Sequence, residues 1–419
     1  MRQSVSLPIL QGGATYVNDN AQKVVVMGLG YIGLPTASVL ATKGFTVLGV
    51  DVNPRIVETI KHGNIHIVEP DLDILVKSAV NSGNLTSSMT PEEADVFIIA
   101  VPTPLTPEKK PDLSFVENAT DAIAPVLRRN NLVILESTSP VGTTTTVVAE
   151  RISKRTGWKP GEDFFVAHCP ERVLPGRILK ELVDNDRIIG GINRISAEKA
   201  RDLYRTFVSG NIYLTDCGTA ELVKLTENAF RDVNIAFANE LSMICDRLGI
   251  RIWELIELAN RHPRVNILQP GPGVGGHCIA VDPWFIIDSA PQQTTLISAA
   301  RKVNDSKPAF LIEKIINKAQ KFKAPVIGCL GITYKNDVDD IRESPSLHIV
   351  RELLKKNIGT VLVCEPYVKD FKEFTLHQLD KVLKESDILV LLVNHKQFLD
   401  IDSEILKEKV VIDSRGIWR

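Results

Sequence analysis

Cysteine is scarce in this chain, and what there is lacks spacing. The six cysteines (169, 217, 245, 278, 329 and 364) are scattered with no C-x-x-C pair. That argues against a disulfide framework or a zinc site, leaves no metal to expect, and favours reduced thiols and a cytoplasmic setting. Long hydrophobic runs are missing too. Stretches such as 388–393 are far too short to span a bilayer. No charge of one sign dominates: 49 Lys and Arg against 51 Asp and Glu leave a net charge of −2, which argues against nucleic acid or an anionic membrane as partner. Residues 1–21 lack the basic start and apolar stretch of a signal peptide and read as an N-terminal extension. At 419 residues the chain exceeds one ordinary hydrophobic core, so two or three domains are expected.

Against this ordinary background one segment stands out. Gly271-Pro272-Gly273-Val274 leads into Gly275-Gly276-His277-Cys278, and Asp282 follows four residues later. Glycines let a ligand approach backbone closely because no Cβ intervenes. A cysteine in that setting, with a carboxylate nearby, points to a nucleophile, with a buried structural cysteine as the alternative. A position at a helix start would favour its thiolate.

The chain divides into three segments. In the first, strand-like runs at 23–27, 46–50, 95–101 and 131–136 alternate with helical stretches, which implies a doubly wound parallel sheet over 22–210. In the second, 211–320, the stretch 219–248 has no proline. Leu222, Leu225, Ala229, Val233, Ala236 and Phe237 recur at three- and four-residue intervals as one apolar stripe. This predicts a helix of about 45 Å at 1.5 Å per residue, long enough to join domains or subunits. In the third, 321–419, strand-like runs at 324–330, 360–364, 387–393 and 409–412 return to α/β.

Gly28-Leu29-Gly30-Tyr31-Ile32-Gly33 matches G-x-G-x-x-G between a strand and a helix, and Asp51 ends the next strand. That context points to a dinucleotide-binding fold: Gly28 for the turn, Gly30 for the pyrophosphate, Gly33 for helix–strand packing. Asp51 suits the adenosine ribose and favours NAD over NADP, an inference that nearby Arg55 tempers. Thr103 and Thr138 fall at the carboxyl ends of the third and fourth strands, as candidates for the nicotinamide side or as simple turn residues.

Lys224, Asn228 and Arg231 share one face of the long helix. A lysine beside an amide suits alcohol-proton transfer and oxyanion stabilisation; a solvated polar stripe is the alternative. Glu171 beside Arg172 reads as a general base with an anion-binding partner, or as a surface pair. Arg261-His262-Pro263-Arg264, the turn Gly331-Ile332-Thr333-Tyr334-Lys335, Arg342 and Arg415 supply cations suited to a nucleotide diphosphate. A hydride acceptor plus a thiol can take a primary alcohol to an acid through a thiohemiacetal and a thioester. A two-electron hydroxyacid dehydrogenase built on Lys224 and Asn228 is the competing chemistry.

The stretches 28–36 (GLGYIGLPT), 65–72 (IHIVEPDL), 135–142 (LESTSPVG), 169–176 (CPERVLPG), 224–240 (KLTENAFRDVNIAFANE) and 259–285 (ANRHPRVNILQPGPGVGGHCIAVDPWF) resemble the nucleotide-sugar 6-dehydrogenases over about residues 22–419. The resemblance implies Cys278 as nucleophile, Lys224 as proton donor and acceptor, and Asn228 at the oxyanion, with Glu171 in thioester hydrolysis. By the same matching Tyr31, Ile32, Asp51, Thr103, Thr138 and Arg342 would contact NAD, two molecules of which would be reduced per substrate. Arg172, Val173, Arg231, His262, Arg264, Gly275, Tyr334, Lys335 and Arg415 would contact a UDP-sugar. It further implies an N-terminal NAD domain, a central helical domain that forms a homodimer, and a C-terminal UDP-sugar domain. Val281 stands where UDP-glucose enzymes carry lysine, which resembles the N-acetylhexosamine branch. His262-Pro263-Arg264 favours a UDP-N-acetylmannosamine over a UDP-N-acetylglucosamine substrate. The product would be a uronic acid for bacterial surface polysaccharide.

Overall fold

A computed structural model describes residues 22–418; the extension read at 1–21 lies outside the described residues. Eight strands build the first sheet: β1 (Lys23–Met27), β2 (Thr46–Val50), β3 (Leu85–Ser88), β4 (Val96–Ile99), β5 (Leu132–Leu135), β6 (Phe165–His168), β7 (Arg187–Gly191) and β8 (Ile212–Asp216). Their order is β3-β2-β1-β4-β5-β6-β7-β8. All pairs are parallel except β6 with β7. The expected doubly wound sheet is present, extended by four strands (β3, β6, β7 and β8) beyond the four read from sequence. Strands β1, β4 and β5 are almost wholly buried because helices cover both faces, which is why they read as unbroken apolar runs. Two cores result, one on each face of this sheet.

The chain then enters a 32-residue helix, Cys217–Leu248, capped at its start by Asp216, whose side chain accepts from Thr219 N, and stopped by Gly249 at φ +69°. The predicted stripe divides here. Leu225, Ala229 and Ala236 are buried, whereas Leu222 and Phe237 are exposed. The intervals were right, but the six residues spread over more of the helix circumference than the buried face occupies. Helix Thr295–Ala319 packs along the long helix, and the buried Arg301 is ion-paired to the buried Asp232 at 2.6 Å.

A second sheet follows, β9 (Val326–Leu330), β10 (Thr360–Cys364), β11 (Ile388–Leu391) and β12 (Val410–Asp413), all parallel in the order β10-β9-β11-β12. Among the described residues, no helix is long and apolar enough to cross a membrane.

Candidate active site

At the carboxyl end of β1 the G-x-G-x-x-G turn is fixed by close packing. Gly28 has φ +91°, and a Cβ on it would lie 2.7 Å from Ala100 O; one on Gly33 would lie 1.8 Å from Gly28 O. A Cβ on Gly30 would meet nothing within 4 Å, so the turn keeps an open side where a pyrophosphate fits. Asp51 holds the cradle: Oδ2 accepts from Leu29 N at 3.0 Å and Oδ1 from Asn53 N at 2.9 Å. Tyr31 and Arg55 are exposed on its rim, and Ile32 is half-buried. Thr103 Oγ1 donates to Thr138 O at 2.6 Å, which joins the two hydroxyl-bearing turns after the neighbouring strands β4 and β5, on one side of the switch point between β1 and β4.

Cys278 is half-buried, whereas the other five cysteines are buried. Its carbonyl accepts from Val281 N at 3.0 Å and Asp282 N at 2.8 Å, in a turn leading into helix Asp282–Ser289. The thiol therefore precedes the helix instead of opening it. Burial, and then the Asp282 charge, push its pKa up from the ordinary value, against the opposing pull of Lys224, Arg231 and Arg342. The expected lowering by a helix start is thus outweighed. Phe285 and Ile286 of the short helix pack on Leu225 and Ala229 of the long one, which sets the cysteine turn against the Lys224 face.

On that face Lys224 is half-buried, Asn228 buried and Arg231 exposed. Arg231 donates to Asn228 Oδ1, and Asn228 Nδ2 donates to Asp282 Oδ2. Asp282 is 3% exposed, and burial pushes its carboxyl up to about 6, with Lys224 as the largest opposing influence. The predicted catalytic group Lys224, Asn228, Cys278 and Asp282 is therefore brought together, and Arg231 is tied to it through Asn228.

The cysteine loop also packs against the loop after β9. Gly276 N donates to Arg342 O at 3.2 Å, and a Cβ on Gly276 would lie 2.8 Å from the Tyr334 ring. A Cβ on Gly275 would lie 2.5 Å from Glu343 O. Arg342 itself is paired with Asp340 at 2.6 Å. Lys335 is exposed nearby. Arg415 donates Nε to Leu392 O at 3.0 Å, and its guanidinium lies against Gly271; burial pushes it down to about 10, so it stays charged at neutral pH. His262 and Arg264 are exposed, and among the described residues no hydrogen bond or ion pair ties their side chains to the cysteine loop.

Glu171 and Arg172 do not pair through their side chains as the sequence reading had them. Glu171 is buried, with Oε2 on Arg187 Nη1 at 2.7 Å and Oε1 accepting from the Arg172 backbone N at 2.7 Å. The Arg172 guanidinium turns to Glu227 of the long helix at 2.5 Å, and Val173 is half-buried beside it. Arg187 and Glu227 were not found from sequence; no local spacing links either to the loop it holds.

Beneath Glu171, Glu136 is 2% exposed and accepts from Tyr204 Oη and Thr36 Oγ1. Burial, then the Glu171 charge, push its carboxyl up to about 7. A raised folded-state pKa means that its stabilising contribution is complete below the ordinary value of 4.5 and is lost as pH rises through about 7. The wild-type melting temperature, relative to that of Glu136→Gln, is therefore expected to fall between pH 5 and pH 8. Melts at the two pH values check this, and parallel curves would refute it.

The sequence matches the UDP-glucose/GDP-mannose dehydrogenase family over its NAD binding domain at residues 22–208, its central domain at 218–306 and its UDP binding domain at 328–419. The chain belongs to this family, a class of NAD-dependent nucleotide-sugar oxidoreductases. It is 56% identical to an NDP-N-acetyl-D-galactosaminuronic acid dehydrogenase from Ralstonia nicotianae, across 96% of this chain and 97% of that one. It is 53% identical to a UDP-N-acetyl-D-mannosamine dehydrogenase from Campylobacter jejuni, across 91% and 97%. The fold matches a UDP-N-acetyl-mannosamine dehydrogenase structure from S. aureus with a TM-score of 0.87 and 44% identity, across 94% and 95%.

Proposed function

We propose that the chain oxidises the C6 hydroxymethyl of UDP-N-acetyl-D-mannosamine to the carboxylate of UDP-N-acetyl-D-mannosaminuronate, with two NAD reduced per sugar. The observation that carries the chemistry is the meeting of Cys278, Lys224, Asn228 and Asp282 beside the dinucleotide crevice. NAD, when bound, supplies the hydride acceptor for both oxidations; Gly28, Gly30, Gly33 and Asp51 would cradle it, with Tyr31, Ile32, Arg55, Thr103, Thr138 and Arg342 around it. Lys224 takes the C6 hydroxyl proton in the first oxidation, and its cation with Asn228 steadies the oxyanion. Cys278 sulfur adds to the aldehyde carbon to give a thiohemiacetal, and oxidation of that adduct leaves a thioester. Water attacks the thioester carbonyl, Glu171 takes up its proton, and the thiol departs with the carboxylate formed. Arg172, Val173, Arg231, His262, Arg264, Gly275, Tyr334, Lys335 and Arg415 are assigned to the UDP-sugar.

Within this reading, 22–210 is the NAD domain, 211–320 the central dimerisation domain and 321–419 the UDP-sugar domain. Leu222, Phe230, Phe237, Ile244 and Leu248 form an exposed apolar row along the long helix, which supports a homodimer. His262 and Arg264 reach substrate from this domain only if that pairing, or a closure of the loop, brings them in. The enzyme would act in the cytoplasm, supplying a uronic acid for surface polysaccharide.

The mannosamine assignment rests on the relatives with that name and on His262-Pro263-Arg264. The Ralstonia relative at 56% identity favours a second reading, a galactosamine-configured substrate. The test is NADH formed per mole of UDP-N-acetylmannosamine, run beside the galactosamine, glucosamine and glucose nucleotides. Two NADH with the mannosamine nucleotide preferred supports the proposal. Preference for the galactosamine nucleotide moves the assignment to the second reading, and one NADH per sugar removes the thioester.

A further inference from the structure

Glu69 belongs to the segment between helices Pro54–Lys61 and Leu72–Asn81, and none of the roles given above falls on it. It is 4% exposed, and both its oxygens are used. Oε2 accepts from Gly176 N at 2.8 Å and Oε1 from Ile178 N at 2.7 Å. Ile178 opens helix Ile178–Asp184, so its N–H has no partner within the helix. Gly176 sits at φ +88°, a conformation unfavourable for other residues. The carboxylate thus satisfies two backbone donors at the end of the 171–178 loop, and no cation pairs with it among the described residues.

The rest of that loop is held in the same way. Arg172 N donates to Glu171 Oε1 at 2.7 Å, Leu174 N to Glu181 Oε2 at 2.9 Å, and Arg177 N to Leu174 O at 3.0 Å. Residue 175 is proline and has no N–H. Among the described residues this leaves Val173 N–H as the backbone donor of 172–178 with no partner in the chain. The Arg172–Glu227 pair presses the same stretch against the helix that carries Lys224 and Asn228.

We propose that Glu69 is a positioning residue for sugar binding: by anchoring 176–178 it holds Val173 N–H ready for a hydroxyl or acetamido oxygen of the substrate. This rests on the reading above, in which the loop faces a UDP-sugar. Losing the carboxylate leaves two donors to find water or the wrong acceptor, which loosens the loop. Aspartate is one methylene short of bridging both donors, and glutamine turns an amide against one of them.

The experiment uses full-length Glu69→Ala and Glu69→Gln beside wild type. Expected are a rise of about tenfold in KM for the UDP-sugar, or about 1.4 kcal/mol, an NAD KM within about twofold of wild type, and faster amide exchange in peptides covering 171–180. An unchanged sugar KM in variants that melt like wild type overturns the proposal, as does an equal rise in both KM values. If the alanine variant does not fold, the glutamine variant decides alone. A wild type that oxidises no UDP-sugar overturns the functional reading instead; the exchange rates, which need no substrate, then decide whether Glu69 holds the loop.

Discussion

Cys278→Ala is expected to abolish uronic acid formation, by a factor on the order of 10³ or more, while NAD and UDP-sugar binding stay within a few-fold of wild type. The thiol is the atom on which the second oxidation depends, because an aldehyde must become a tetrahedral adduct before it can lose hydride. Alanine removes the sulfur and changes little else, since the turn is held by the Cys278 carbonyl and by Phe285 and Ile286 packing on the long helix. NADH release followed at single turnover, with calorimetric binding of both ligands, checks this. Multiple turnover to the acid at wild-type rate would remove the covalent mechanism. Because burial and Asp282 hold the thiol above its ordinary pKa, alkylation of wild type by iodoacetamide should also be slow at neutral pH and rise steeply towards alkaline pH.

Lys224→Met is expected to lower kcat by about 10²- to 10⁴-fold, the usual span for loss of a positioned proton-transfer group. Its effect should reach beyond proton transfer. Lys224 is the largest influence opposing the upward pull on both Cys278 and Asp282, so removing its charge should move both groups further towards their neutral forms. The iodoacetamide profile of Cys278 should therefore shift to higher pH in Lys224→Met. A lysine that served only as a solvated surface charge would leave both kcat and that profile unchanged.

Local pattern carried much of this molecule. Strands at 23–27, 46–50 and 360–364 could be read to the residue because they are buried on both faces, and the long helix was legible at 219–248 from its lack of proline, two residues short of its start at Cys217. The G-x-G-x-x-G turn was legible because its three glycines fall within six residues between a strand and a helix, although the Ala100 backbone that Gly28 packs against is distant in sequence. What escaped was long-range. Glu69 meets a loop more than 100 residues away, and Arg187 reaches Glu171 across an antiparallel pair of strands. No period or spacing encodes such pairs. The Cys278 environment was misjudged for a related reason: a helix start is visible in sequence, whereas burial among residues from three distant segments is not.

The glycines of the cysteine loop have a consequence for recombining relatives of this chain. Cβ atoms on Gly273, Gly275 and Gly276 would lie 2.5–2.9 Å from Pro345, Glu343 and Tyr334, so the loop and the 334–345 stretch are cut to one another's shape. A chimaera joined near residue 320 would draw these two surfaces from different parents, and the thiol's placement would depend on whether they still mesh. Transplanting specificity between members of the group therefore calls for 271–345 to travel as one block, with crossover points outside it.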